Sequence, residues 1–175
     1  MGFTPLTGVT MATRSGDVDV SMIAFVMDKL GINSISEMVY TLNKESGLAG
    51  FSGVSSDMRD ILSVSHAKHR ARLAIDIFVK DIVKYIGQYY FEMGGIDGIV
   101  FTAGIGENSA VIRKMIMESL SLMNITIDNE KNEEQDGATV ISGEDSAITM
   151  MKIPTNEELM IARDVMELKN KKNKC

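Results

Sequence analysis

The sequence predicts an α/β fold, helical in its front half and alternating strand and helix behind. Three observations carry this. Residues 66–93 form the longest helical pattern, with Leu73, Ile77, Ile82, Ile86, Tyr89 and Tyr90 at 3.6-like spacing and Gly94-Gly95 as a stop. The stretch Gly94 to Ser109, GGIDGIVFTAGIGENS, reads as turn, buried strand, glycine loop and helix start. Ile99 to Phe101 is apolar, β-prone and too short to be a helix of its own. Further short β-prone runs follow, parted by polar turns.

In chain order, residues 1–16 hold Gly, Pro, Thr and Ser and read as a loop. Asp19 or Ser21 caps a helix over about 21–30, ended by Gly31. Ser34 and Glu37 form a capping box for a helix near 35–44. Gly47 to Ser56 reads as a second loop, and 57–63 as a short helical turn. After the long helix come a strand at 97–103, a helix at 108–122 and a strand at 124–127. An acidic loop follows at 128–137, then strands at 138–142 and 146–153 around a turn at Ser142–Asp145. Thr155 and Glu158 form a second capping box for a last helix over about 156–170. There is no internal repeat, and 175 residues favour a single domain.

Composition removes several classes of function. A hydrophobic fraction of 45% supports a real core, and no run of 18 apolar residues exists to span a membrane. The first residues lack a basic and apolar leader. The only cysteine is Cys175, which excludes an intrachain disulfide, so the chain fits a reducing cytoplasm. A net charge of −6 argues against a nucleic-acid surface. The lysine-rich tail at 169–174 reads as a solvated helix end. Fourteen methionines, spread along helices, are expected to be mostly core filler.

Three segments have residues suited to chemistry. Arg14, in Thr13-Arg14-Ser15-Gly16-Asp17, is an arginine in a polar loop, and its planar fork can hold two oxygens of a phosphoryl group. The bland alternative pairs it with Asp17 or Asp19. In Asp57-Met58-Arg59 the carboxylate can accept ribose hydroxyls and the guanidinium can stack on a purine. The alternative is Asp57 as a helix cap with Arg59 paired to Asp60. In Gly104-Ile105-Gly106-Glu107-Asn108 the glycines permit a tight turn and close approach of a ligand. Asn108 or Ser109 caps the next helix, with Glu107 beside its positive end. An αβ turn with no ligand accounts for that segment equally well. His66 and His69, spaced i, i+3 without other ligands nearby in sequence, read as solvated, and terminal Cys175 has no base to activate it.

Taken together, these segments resemble the acetate kinases of the acetate and sugar kinase, Hsp70 and actin superfamily. GGIDGIVFTAGIGENSAVIR (94–113) is similar to a family signature. MGFTPLTGVTMATRSGDVD (1–19) resembles its arginine loop, SGLAGFSGVSSDMRDI (46–61) its Asp-x-Arg nucleotide loop, and IPTNEELMIARD (153–164) its metal-carboxylate segment. The four occur in the family's order. The resemblance implies one actin-like ATPase (ribonuclease H-like) C-terminal nucleotide-binding domain over 1–175, mainly helical in 1–93 and sheet-forming in 94–175. It implies phosphoryl transfer from ATP to acetate, giving acetyl phosphate and ADP, with Mg²⁺.

Residue by residue, it assigns Arg14 to the transition state and Asp57, Met58 and Arg59 to the nucleotide. Gly104, Ile105, Gly106, Glu107 and Asn108 are also assigned to the nucleotide, and Glu157 to magnesium, ahead of Glu158. It implies a homodimer as well. Ala12 and Val20 depart from the family's usual Gly and Pro. The family's phosphate-binding N-terminal domain, catalytic His and His-Leu-Gly-Asn-Gly loop are not matched in this sequence. Met1 aligns with an internal Met, so the expectation is a C-terminal portion complemented by an N-terminal half. A propionate or butyrate kinase, or a non-catalytic nucleotide-binding or dimerising module, are the alternatives.

Overall fold

The computed structural model describes residues 2–134 and 137–172. The chain divides into two compact units, one ending at Ile96 and the other starting at Asp97.

In the first unit, α1 spans Val20–Leu30, capped by Asp19, whose carboxylate accepts from the Ser21 amide, and closed by Gly31 at φ 67°. The helix α2 spans Ile35–Lys44, but Ser34 makes no side-chain capping bond, so the expected box is not closed. The segment read as a loop at 47–56 contains a helix, α3, at Gly47–Ser52, ended by Gly53 in the left-handed conformation. Short glycine-flanked helices escape periodicity because six residues hold less than two turns. The helix α4 spans Met58–Val64 and α5 spans His69–Glu92. Arg70 on α5 closes the end of α3 by donating to the Phe51 carbonyl at 3.0 Å and to that of Gly50 at 2.5 Å.

α3 and α4 pack on α5. The buried stripe of α5 is Ala71, Ala74, Ile75, Phe78 and Val79, not the predicted set, and Leu73 and Tyr89 are exposed. Small alanines let the neighbouring helices approach closely, and they carry little weight in an apolar periodicity. Met38, Leu42, Leu48, Met58 and Ile61 complete this core. Burying each such large apolar side chain contributes about 1.5–3 kcal/mol.

In the second unit, β1 spans Gly98–Phe101, β2 Thr139–Val140 and β3 Thr149–Lys152. The sheet order is β1-β3-β2. β1 runs parallel to β3 with Gly98 opposite Thr149 and Phe101 opposite Lys152, and β2 runs antiparallel with Val140 opposite Met151. The predicted strand at 124–127 is absent, leaving only a bridge from Ile127 to Ser142. The predicted helix at 108–122 forms as α7 at Ala110–Ser119 and a 3-10 turn at Ser121–Met123, and the segment before it, read as a glycine loop, is a short helix, α6, at Ala103–Asn108. The acidic loop contains α8 at Asn129–Glu133, capped by Asp128. The last helix, α9, spans Glu157–Lys172.

The core here is Phe101, Ile112, Ile116, Met117, Leu120, Ile125, Ile141, Ile148 and Met150. Among the described methionines only Met38, Met58, Met117 and Met150 are buried, so most are not core filler. No described helix is long and apolar enough to cross a membrane.

Candidate functional site

Arg14 lies on a loop whose backbone is bonded from three sides. The Ser15 amide donates to Leu42, and the amides of Ser46, Leu48 and Ala49 donate to Thr13, Met11 and Ala12 at 2.9–3.0 Å. The arginine loop thus supplies the carbonyls that the first turn of α3 lacks. Thr10 donates its amide and hydroxyl to Asp81 of α5 at 3.1 and 2.6 Å. Asp17 closes the loop, accepting from Gly8 N, Lys84 Nζ and Tyr85 Oη. The Lys84 ammonium and Tyr85 hydroxyl hold the Asp17 carboxyl below its ordinary pKa.

Neither acidic neighbour pairs with Arg14, since Asp17 is taken by Lys84 and Asp19 caps α1. Among the described residues, the Arg14 guanidinium has one hydrogen-bond partner, the Met11 sulfur at 3.6 Å. A guanidinium presented by a pinned loop without a counter-ion suits a phosphoryl ligand.

Asp57 caps α4, its Oδ1 accepting from the Arg59 amide at 2.8 Å. The same carboxylate holds the Arg59 side chain, with Nη2 to Oδ2 at 2.6 Å. Asp60 instead accepts from Ser55 Oγ. The capping alternative is therefore present, but Arg59 pairs with Asp57 rather than Asp60. Arg59 is 88% exposed, leaving its planar face free to stack. Met58 is buried, so its side chain serves the core while its two neighbours reach the surface.

The hydrogen bonds from Arg59 lower the Asp57 pKa from 3.8 to about 2. A folded-state value below the unfolded one means that the stabilisation is complete above 3.8 and is lost as pH falls towards about 2. A carboxyl NMR titration is expected to place the Asp57 midpoint near 2, and Arg59→Ala to raise it towards 3.8. A midpoint near 3.8 in the unmodified chain contradicts the pairing.

In the glycine segment neither Gly104 nor Gly106 has positive φ; the left-handed residue is Ala103, at 57°. The turn is thus not made by the glycines. A Cβ on Gly104 would meet nothing within 4 Å, so packing does not require glycine there, and the backbone presents an open face. Asn108 donates Nδ2 to the Gly104 carbonyl at 2.8 Å, and Ser109, not Asn108, caps α7. Ile105 and Gly106 are partly exposed.

Glu107 lies partly exposed, and its Oε1 accepts from Ala103 N at 2.6 Å and from Thr155 N and Oγ1, each at 2.9 Å. These donors, led by the Thr155 amide, hold the Glu107 carboxyl below its ordinary pKa. Thr155 is therefore not the cap of α9; Asn156 is, its Oδ1 accepting from Leu159 N at 2.9 Å. Glu157 and Glu158 are exposed in the first turn of α9.

Sequence reasoning missed Arg113. It is 2% exposed on α7, and its guanidinium donates to the carbonyls of Gly106 and Glu107 at 2.9 and 2.7 Å. It also donates to Asn132 Oδ1 at 2.8 Å and to the Asn132 carbonyl. Burial lowers its pKa, but an arginine stays protonated near neutrality. The available signal was an arginine next to Ile112 on a face otherwise built of Ile116 and Met117. His66 and His69 are exposed, and no three metal-ligating side chains cluster among the described residues.

Comparison with known proteins settles the family. Residues 1–163 match the acetokinase family. The chain belongs to that family. It is 54% identical over 171 residues to an acetate kinase of Fructilactobacillus sanfranciscensis, covering 98% of this chain and 43% of that protein. It is 50% identical over 174 residues to one of Clostridium novyi, covering 99% and 43%. Among solved structures, it resembles an acetate kinase of Porphyromonas gingivalis at TM-score 0.88 and 40% identity, over 95% of this chain and 42% of that one. It also resembles a propionate kinase of Francisella tularensis at TM-score 0.83 and 43% identity, over 93% and 41%. The fold is accordingly the family's actin-like ATPase fold, and the chain spans about 43% of the length of the curated acetokinases it matches.

Proposed function

We propose that this chain is the nucleotide-binding C-terminal portion of an acetate kinase. The whole enzyme transfers the γ-phosphoryl group of Mg·ATP to acetate, giving acetyl phosphate and ADP. The observation that carries the reading is Arg14, a guanidinium on a pinned loop whose one hydrogen-bond partner among the described residues is a thioether. Its role is to neutralise the transferring phosphoryl group, which spreads charge over three oxygens. The nucleotide itself brings the transferable group and its magnesium.

In the first unit, Asp57 would orient on ribose and Arg59 would stack on the purine, with Met58 holding their helix in the core. In the second, the open backbone at Gly104 and the exposed Asn108 would lie against adenosine, with Ile105 and Gly106 completing that face. Glu157 would support magnesium as one hard oxygen ligand beside phosphate oxygens and water. The reading further includes a cytoplasmic location and a homodimer. Support for self-association is the exposure of Val20, Phe25 and Leu30 on α1, a helix that buries none of its residues. One observation favours a propionate kinase as a second reading, the likeness to the Francisella structure.

This stretch alone is expected to give no turnover, because parts that act as a unit lose far more than any one contact. Hydroxylamine trapping of acetyl phosphate tests this. The expected result is no product from the chain alone. Product is expected on mixing with the uncovered part of the Fructilactobacillus enzyme, lowered at least about 10³-fold by Arg14→Ala. Turnover by the chain alone that Arg14→Ala abolishes would contradict it.

A further inference from the structure

We propose that Glu107 is a positioning residue, a latch whose carboxylate couples the Ala103–Asn108 turn to the start of α9, where Glu157 lies. The proposal rests on the reading above for what the two ends bind. It departs from the family resemblance, which assigns Glu107 to the nucleotide itself.

Four observations carry it. First, one oxygen of Glu107 accepts three hydrogen bonds, from Ala103 N and from Thr155 N and Oγ1, so it bridges segments 48 residues apart in sequence. Oε1 is thereby filled by the protein's own donors, and any ligand of this carboxylate is left with Oε2. Second, no lysine or arginine pairs with this carboxylate among the described residues, so its charge is answered by hydrogen-bond donors alone. Third, Ala103 sits at φ 57°, which a residue with a Cβ adopts only under constraint. The bond from its amide to Glu107, at 2.6 Å, supplies that constraint. Fourth, Thr155 leads directly into Asn156, whose Oδ1 caps α9 through Leu159 N, and then into Glu157. Fixing Thr155 therefore fixes where α9 begins and where Glu157 stands. The latch gives the turn and the helix start one shared geometry, so that ordering either end favours order at the other.

The test uses the full chain without ligand, read by amide hydrogen exchange. Glu107→Ala is expected to speed exchange both in 102–108 and in 155–160, with α7 and β1 unchanged. Thr155→Val, which keeps shape but removes the hydroxyl, is expected to speed exchange at the distant 102–108 segment as well. It serves as the second variant should Glu107→Ala fail to fold. Exchange confined to the mutated segment in either variant overturns the latch.

ATP titrations with and without Mg²⁺ then separate coupling from contact. Both variants are expected to shrink the Mg²⁺ enhancement of ATP affinity at least about fivefold. Weakening of metal-free ATP binding by Glu107→Ala, with Thr155→Val silent, would restore Glu107 as a nucleotide contact and overturn the proposal. If the unmodified chain binds no ATP, the nucleotide reading fails, and exchange still decides whether the two segments are coupled.

Discussion

Gly47→Ala is expected to destabilise the first unit by about 2–4 kcal/mol, from the left-handed backbone penalty and overpacking together. Gly47 sits at φ 63°, where a Cβ is disfavoured in any surroundings. Its surroundings are also closed. A Cβ there would come within 2.3 Å of the Met11 carbonyl oxygen and 2.6 and 2.9 Å of the Arg14 carbonyl oxygen and amide nitrogen. Those atoms are backbone and cannot rotate aside as a side-chain end could. Relief requires pushing the arginine loop off α3, which breaks the bonds from Leu48 and Ala49 to Met11 and Ala12. The variant should therefore lose stability and phosphoryl-transfer competence together. Urea unfolding checks the first, and Arg14-dependent turnover in the complemented enzyme the second. A variant within about 0.5 kcal/mol of the parent would show that the loop is not pressed on α3 as described.

The second large effect is expected at Arg113. Arg113→Met keeps a long apolar stem but removes every donor. It strands the carbonyls of Gly106, Glu107 and Asn132 and the Asn132 side-chain oxygen around a buried site. Each buried polar group left without a partner costs about 1–3 kcal/mol, so a loss of about 3 kcal/mol or more is expected. Arg113→Lys should not rescue it, because a single ammonium cannot reach carbonyls on two sides as a fork does. The measurement is the denaturation midpoint at unchanged slope. Retained stability in Arg113→Met would mean that water replaces the guanidinium, and that α6 is held by other contacts.

Much of the fold was legible because its signals are local. Asp19 and Gly31 bound α1 through a side-chain cap and a left-handed stop, and both act within a few residues. Ile99 to Phe101 reads as a strand, and that strand forms. What was not legible depends on partners distant in sequence. The α3 segment became helical because the arginine loop supplies carbonyls to its first turn. The buried stripe of α5 is set by which neighbours pack on it, not by its own apolar period. Residues 124–127 are apolar enough for a strand, but they find only one bridge, at Ser142.

The site divides along the same line. Arg14, Asp57 and Arg59 were legible as residue types on polar loops. Their partners were not: Asp17 binds Lys84 across 67 residues, and Asp57 turned to Arg59 rather than leaving Asp60 to do so. The glycines suggested a tight turn, yet Ala103 makes it, because Glu107 captures its amide. Thr155 and Glu158 had the spacing of a capping box, but Thr155 was claimed by Glu107, and Asn156 capped α9 instead.

The central claim is that this chain presents a nucleotide-binding surface. Its most direct test is calorimetric titration of the purified chain with Mg·ATP, beside the Gly104→Val variant. Since a Cβ at Gly104 would meet nothing within 4 Å, the position is open to a side chain and the variant is expected to fold. The account predicts saturable binding by the parent chain and none by the folded variant. Absence of binding by the folded parent, or equal binding by Gly104→Val, would contradict it.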